Sequence, residues 1–154
     1  MSYTEEQYEE FAKHMEEKYP EMFANPYGGF AVGAGWWPIL EVLCRQIDSY
    51  TKWRNNTRES LLKDNPHDHL IPDAVPQVVV EQIKEKFGGL RFYYQGGDEF
   101  IRGLETMAEL WAGQTCETCG KPGERRSGGW IRTLCEEHEA ERQKKMRERF
   151  INED

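Results

Sequence analysis

A chain of 154 residues with 28 acidic and 20 basic side chains, and a formal charge of −8, is the size of one domain, and its net charge argues against broad nonspecific binding to phosphate backbones. Hydrophobic residues make up 38% and charged residues 31%, a balance that excludes wholesale disorder and suits a globular fold with a wet surface. No apolar run approaches the roughly 20 residues of a membrane span, and the acidic start MSYTEEQYEE is unlike a secretory leader, so the expected setting is cytoplasmic with no membrane partner.

A first helix is expected from Thr4, where Thr4-Glu5-Glu6-Gln7 has the form of a capping box and Tyr8, Phe11, Met15 and Tyr19 share a face up to the stop at Pro20. Its glutamates read as a solvated face. The glycine-rich lead-in GGFAVGAGWW then feeds a second helix, with Pro38 in its first turn and an apolar stripe of Trp37, Leu40, Leu43, Ile47 and Tyr50, ending near Trp53. Glycines before a helix can present N–H groups to an anion, yet this lead-in lacks the lysine and hydroxyl of a phosphate-binding loop. Trp36 and Trp37 read as core side chains, or as aromatic faces for a ligand. Cys44 reads as a small buried hydrophobe.

Residues 54–77 are polar and broken by Pro66, Pro72 and Pro76, which predicts a long surface loop. His67, Asp68, His69 and Asp73 within it have the chemistry for metal binding or proton exchange, but their spacing fits no strong ligand pattern, and no catalytic set is nominated.

VVVEQIKEKFGGLRFYY carries the clearest strand signal. With Gly88 and Gly89 as a two-residue turn, Phe87 faces Leu90, Lys86 faces Arg91 and Lys84 faces Tyr93. Side chains alternate, so Ile83, Phe87, Leu90, Phe92 and Tyr94 form an apolar face, while Lys84, Lys86, Arg91 and Tyr93 gather on the other. Facing cations destabilise a sheet, so either internal glutamates screen them or they grip an anion stacked on Tyr93 or a nearby tryptophan. Asp98 is placed to cap a third helix with the stripe Phe100, Ile101, Leu104, Met107, Ala108 and Trp111, covering the apolar face of the hairpin.

TCETCGKPGERRSGGWIRTLCEEH holds the strongest chemical signal. Cys116, Cys119, Cys135 and His138 form two short clasps suited to tetrahedral zinc, and with four protein ligands no position remains for an activated water, so the zinc is expected to be structural. A terminal helix follows from near Cys135, acidic early and basic late, matching the helix dipole. Arg125, Arg126, Arg132 and Trp130 offer a second basic patch, a feature of nucleic-acid contacts. The expected fold is therefore α+β: a hairpin or small sheet packed against about three helices over residues 1–114, then a zinc ribbon and terminal helix over residues 115–154.

QIKEKFGGLRFYY, followed by a helix and then TCETCGKPG, GGW and TLCEEH, resembles a family of small zinc-ribbon proteins of bacteriophages and prophages, over about residues 77–138. The resemblance implies a phage setting and the same four zinc ligands, and it implies no reaction. By analogy it points to a non-enzymatic binder of a host defence component. The expected ligand is a nucleotide-like signal held by Lys84, Lys86, Arg91, Tyr93, Trp36 and Trp37. The alternatives are a nucleic-acid-binding zinc ribbon, an inhibitor that binds a host protein directly, and a hydrolase using the histidine loop. A homo-oligomer whose ligand pocket forms between subunits is a further arrangement.

Overall fold

The computed structural model describes residues 3–153. Helix α1 (Glu5–Lys18) is followed by strand β1 (Phe30–Ala31), a 3-10 turn (Ala34–Trp36), helix α2 (Trp37–Asp64), strands β2 (Val79–Lys86) and β3 (Gly89–Gln95), and helix α3 (Glu99–Ala112). Strands β4 (Glu124–Arg126) and β5 (Arg132–Leu134) and helix α4 (Glu136–Asn152) complete the chain. The architecture is α+β, with helices on a three-stranded sheet of order β1-β2-β3 and a separate two-stranded ribbon, β4-β5. Among the described residues no helix is long and apolar enough to cross a membrane.

Local chemistry sets several boundaries as expected. The Gln7 amide donates to Thr4 Oγ1 at 3.1 Å and the Thr4 amide to Gln7 Oε1 at 2.9 Å, closing the capping box. Asp98 Oδ1 accepts from the Ile101 amide at 3.1 Å and starts α3. The core joins Trp36, Leu40 and Ile47 of the α2 region to Ile83, Leu90 and Phe92 of the sheet and Ile101 of α3, all essentially water-free. Cys44 is also fully buried there, and burial pushes its thiol far up, as befits an apolar filler.

Four expectations change. Helix α2 does not end near Trp53 but runs to Asp64, so residues 54–64 are helix and not loop. No proline or glycine interrupts RNNTRESLLKD, and Asn55 grips Val75 through both its amide nitrogen and its oxygen, at 3.1 and 2.8 Å, pinning the returning chain. The hairpin turn is Phe87-Gly88, not Gly88-Gly89. Its register pairs Lys86 with Gly89, Lys84 with Arg91 and Ile83 with Phe92, with a bulge between Val80 and Gln82. Both turn residues have positive φ, 54° and 78°, the geometry of a tight hairpin turn. The slide changes cross-strand partners by two positions, so each strand keeps its faces, and Lys84, Lys86, Arg91 and Tyr93 still share one. Phe87 leaves the apolar face and is exposed at the tip.

What selects this turn is a long-range contact. The Thr133 hydroxyl donates to the Gly88 carbonyl at 2.6 Å, and a Cβ on Gly88 would stand 3.3 Å from the Arg132 backbone. The third change is β1, which runs parallel to β2 and pairs Phe30 with Ile83; two residues are too short to show a strand period in sequence. In α3, finally, only Ile101, Ala108 and Ala112 are buried, with Leu104 partly so, while Phe100, Met107 and Trp111 are exposed.

Candidate functional site

The two cysteine clasps come together where the turn after α3 meets the start of α4. Cys135 caps α4, and its Sγ lies 3.5 Å from the donating His138 amide. The Cys116 carbonyl accepts from the Gly120 amide at 2.9 Å, closing the first clasp into a tight turn. The three sulfurs and His138 Nδ1 all lie within 4.8 Å of one another, an arrangement that can hold one metal ion. Cys119 Sγ is 3.8 Å from Cys135 Sγ, Cys116 Sγ is 3.6 Å from His138 Nδ1, and Cys135 Sγ is 3.2 Å from His138 Nδ1. Among the described residues this is the one group of three or more Cys, His, Asp or Glu side chains close enough to bind a metal.

Burial raises the Cys116 thiol, but hydrogen bonding from the Cys135, Cys119 and Thr118 backbone favours the thiolate and brings it down to about 7. Burial pushes Cys119 up. The pocket thus already stabilises negative charge on one sulfur.

The clasp is built into the molecule. Gly33 and Gly35 donate their amides to Glu117, at 3.0 Å to Oε2 and 2.8 Å to the carbonyl, and the Trp36 indole donates to the Thr115 carbonyl at 2.9 Å. This contact gives the glycine lead-in its role: a Cβ on Gly35 would fall 2.1 Å from the Cys116 carbonyl oxygen. The buried Glu117 carboxylate also meets Arg132 at 3.2 Å, so its charge is paired and hydrogen-bonded.

Beside the clasp lies a cleft of about 740 Å³ between the lead-in, the ribbon and α4. Tyr3, Trp130, Arg132, Arg142, Lys145 and Arg149 line it, together with Glu85 and Glu117. Arg142 donates to the Trp130 carbonyl and pairs with Glu139 at 3.1 Å, holding the loop between β4 and β5 against α4. Arg142 Nε is buried with no hydrogen-bond partner. Trp130 is 72% exposed, its ring available for stacking.

The nucleotide-binding set expected from sequence is not one site. Trp36 is fully buried and spends its N–H on Thr115, which leaves no face for a ligand. Trp37 stacks on Phe11 at 4.6 Å with rings 4° apart, in an aromatic cluster with Tyr3 and Tyr8. Lys84 lies over Tyr93 at 6.0 Å, and Lys86 over Phe87 at 5.6 Å. Arg91 donates to the Leu90 carbonyl at 3.1 Å and draws on the Glu105 carboxyl electrostatically. Among the described residues no carboxylate lies within ion-pair distance of Lys84, Lys86 or Arg91. They form an open ribbon face, and none lines the cleft.

Of the second basic patch, Trp130 and Arg132 line the cleft, Arg126 is turned onto the Leu134 carbonyl at 3.2 Å, and Arg125 is exposed. His67 and His69 are exposed, and Asp68 caps its own turn through the Leu70 amide at 2.9 Å. Sequence reasoning missed Arg142, Lys145 and Arg149 as a set. Their i, i+3, i+7 spacing, one face of a helix, was the available signal, masked by the dipole pattern to which Lys145 and Arg149 also belong. No family model, curated protein or solved structure matches the chain.

Proposed function

We propose that this is a non-catalytic binding protein of phage type, stapled by a structural zinc, that acts in the host cytoplasm by sequestering a nucleotide-like signal of a defence system. The defence setting rests on the resemblance of residues 77–138 to phage zinc-ribbon proteins. The ligand class rests on the cleft. A tetrahedral zinc with Zn–S of about 2.3 Å and Zn–N of about 2.0 Å separates two sulfurs by about 3.8 Å and a sulfur from a nitrogen by about 3.6 Å. The Cys119–Cys135 and Cys116–His138 separations have these values, while Cys135 and His138, at 3.2 Å, would move apart by a few tenths of an ångström to take the ion. Four protein donors fill such a shell, so the ion supports the fold and has no place for a reacting water.

The observation that carries the ligand reading is the meeting of an exposed indole with cations in one concavity. Lys145 and Arg149 make no ion pair among the described residues, and Arg132 reaches the same cleft from β5. Phosphate charge would sit on these groups and a base on Trp130, with Arg142 keeping the indole in place. The hairpin face contributes no residue to this cleft and serves as the control.

Titration calorimetry and native mass spectrometry with a panel of linear and cyclic nucleotides test this. Wild-type protein should bind a member of the panel, Trp130→Ala and Lys145→Ala should each weaken binding about tenfold or more, and Lys84→Ala should leave it unchanged. Binding of single-stranded nucleic acid that collapses with salt, without nucleotide binding, would move the protein to the nucleic-acid class. No binding in either arm removes the cleft reading and leaves direct capture of a host protein.

A further inference from the structure

Helix α3 turns a second apolar side away from the core. Phe100, Gly103, Met107 and Leu110 follow at i, i+3, i+7 and i+10, the spacing of a helix–helix seam. Phe100, Met107 and Leu110 are 54%, 67% and 61% exposed, although Phe100 already rests on Tyr50 at 4.3 Å. Beside the seam runs a groove of about 540 Å³ towards α2, lined by Val42, Gln46, Leu104, Met107, Leu110 and Trp111.

We infer that this face of α3 is a self-association surface, and that its occupant is the same face of a second copy of the chain, packed antiparallel across a two-fold axis. Three observations favour a copy of the chain as the partner. The first is charge. The chain carries −8 overall and 31% charged residues, so two copies repel over most orientations. The seam and the groove beside it contain no Asp, Glu, Lys or Arg, so two copies can close there without opposing like charges.

The second observation is Gly103. A Cβ built on it meets nothing within 4 Å, so the folded chain itself makes no use of its missing side chain, and a glycine inside a helix is otherwise unfavourable. An axis midway between Gly103 and Met107 sets each Gly103 opposite Met107 of the second copy and each Phe100 opposite Leu110. A small residue then receives a long flexible one, and the same contact repeats on both sides, as an isologous interface requires. The third is size. The exposed parts of Phe100, Met107, Leu110 and Trp111 amount to on the order of 500 Å² per copy, so a pair buries about 1,000 Å², where stable biological contacts begin.

Sedimentation equilibrium of the full chain, purified with zinc, across the micromolar range tests the inference. Wild-type protein should reach twice the 18.1 kDa chain mass. Met107→Lys should weaken association about tenfold or more by placing a charge in the seam. Gly103→Leu should do the same by filling the crossing point, while its melting temperature, measured at dilution, stays at or above that of wild type because nothing in the single chain is displaced. A wild-type mass that stays at one chain at the highest concentration overturns the inference. So does a dimer that neither substitution weakens.

Discussion

Gly35 stands against the backbone of the Cys116–Gly120 turn, with a Cβ position 2.1 Å from one carbonyl oxygen and 2.6 Å from the Gly120 nitrogen. Neither neighbour is a flexible side-chain tip, so Gly35→Ala must push the lead-in off the clasp and should destabilise the protein by about 3 kcal/mol, read by denaturant unfolding. Phe87 poses the opposite case. Its φ of 54° is a backbone conformation that costs an L-residue about 1 kcal/mol, and its ring lies largely in water. Phe87→Asn, which tolerates that conformation before glycine, should therefore raise stability by about 1 kcal/mol in the same measurement.

At the scale of elements, α3 and β3 meet over Glu105. Burial, a hydrogen bond to Glu109 and that residue's charge push the Glu105 carboxyl up to about 7, against a smaller opposing pull from Arg91. The folded state therefore holds a proton that the unfolded chain releases above its ordinary carboxyl range. Stability falls as pH rises from about 4.5 to 7 and is level beyond that. Glu105→Gln should match wild type near pH 5 and exceed it by about 1 kcal/mol at pH 8, a figure reduced for solvent screening of a part-exposed group. Comparing unfolding curves of the two proteins at both pH values checks this, since any pH effect on the metal centre is common to both.

The same scale separates what could be read in the sequence from what could not. Thr4 with Gln7, and Asp98 ahead of α3, were legible because a cap is a contact between residues three apart. The Cys116–His138 spacing was legible because metal chemistry dictates it. The stretch 54–64 was not, since an exposed polar helix has no apolar period and is fixed by Asn55 reaching twenty residues ahead. Nor was the turn at Phe87, which is decided by Thr133. The cleft was the least legible of all: its walls come from residue 3, the lead-in, β2, the clasp, the β4-β5 ribbon and α4.

For the whole molecule, the clasp and the aromatic core share hydrogen bonds across about eighty residues of sequence. Gly33 and Gly35 are held by Glu117, and the Glu117 amide is in turn held by the Thr133 carbonyl at 3.0 Å. If the cluster holds a metal, removing it with a chelator should therefore do more than loosen residues 116–138. Hydrogen exchange should show the Gly33 and Gly35 amides losing protection together with Glu117, and the Trp36 environment should change in fluorescence as its bond to Thr115 loosens. If the chelated protein keeps those glycine amides protected, the clasp is an appendage and not a keystone.

The lead-in gains its hydrogen-bond partners in the clasp only from sequence that the ribosome makes much later. Residues 30–36 emerge roughly eighty codons before Glu117 and a hundred before Cys135, so during synthesis Gly33, Gly35 and the Trp36 indole wait for the clasp even after Phe30 can meet Tyr8 and Ile83. A nascent chain must leave the Gly33, Gly35 and Trp36 N–H donors without these acceptors until residues 115–117 appear. If the cluster takes up an ion, metal supply at that moment thereby bears on how the start of the protein, which contains none of the four candidate ligands, is finished.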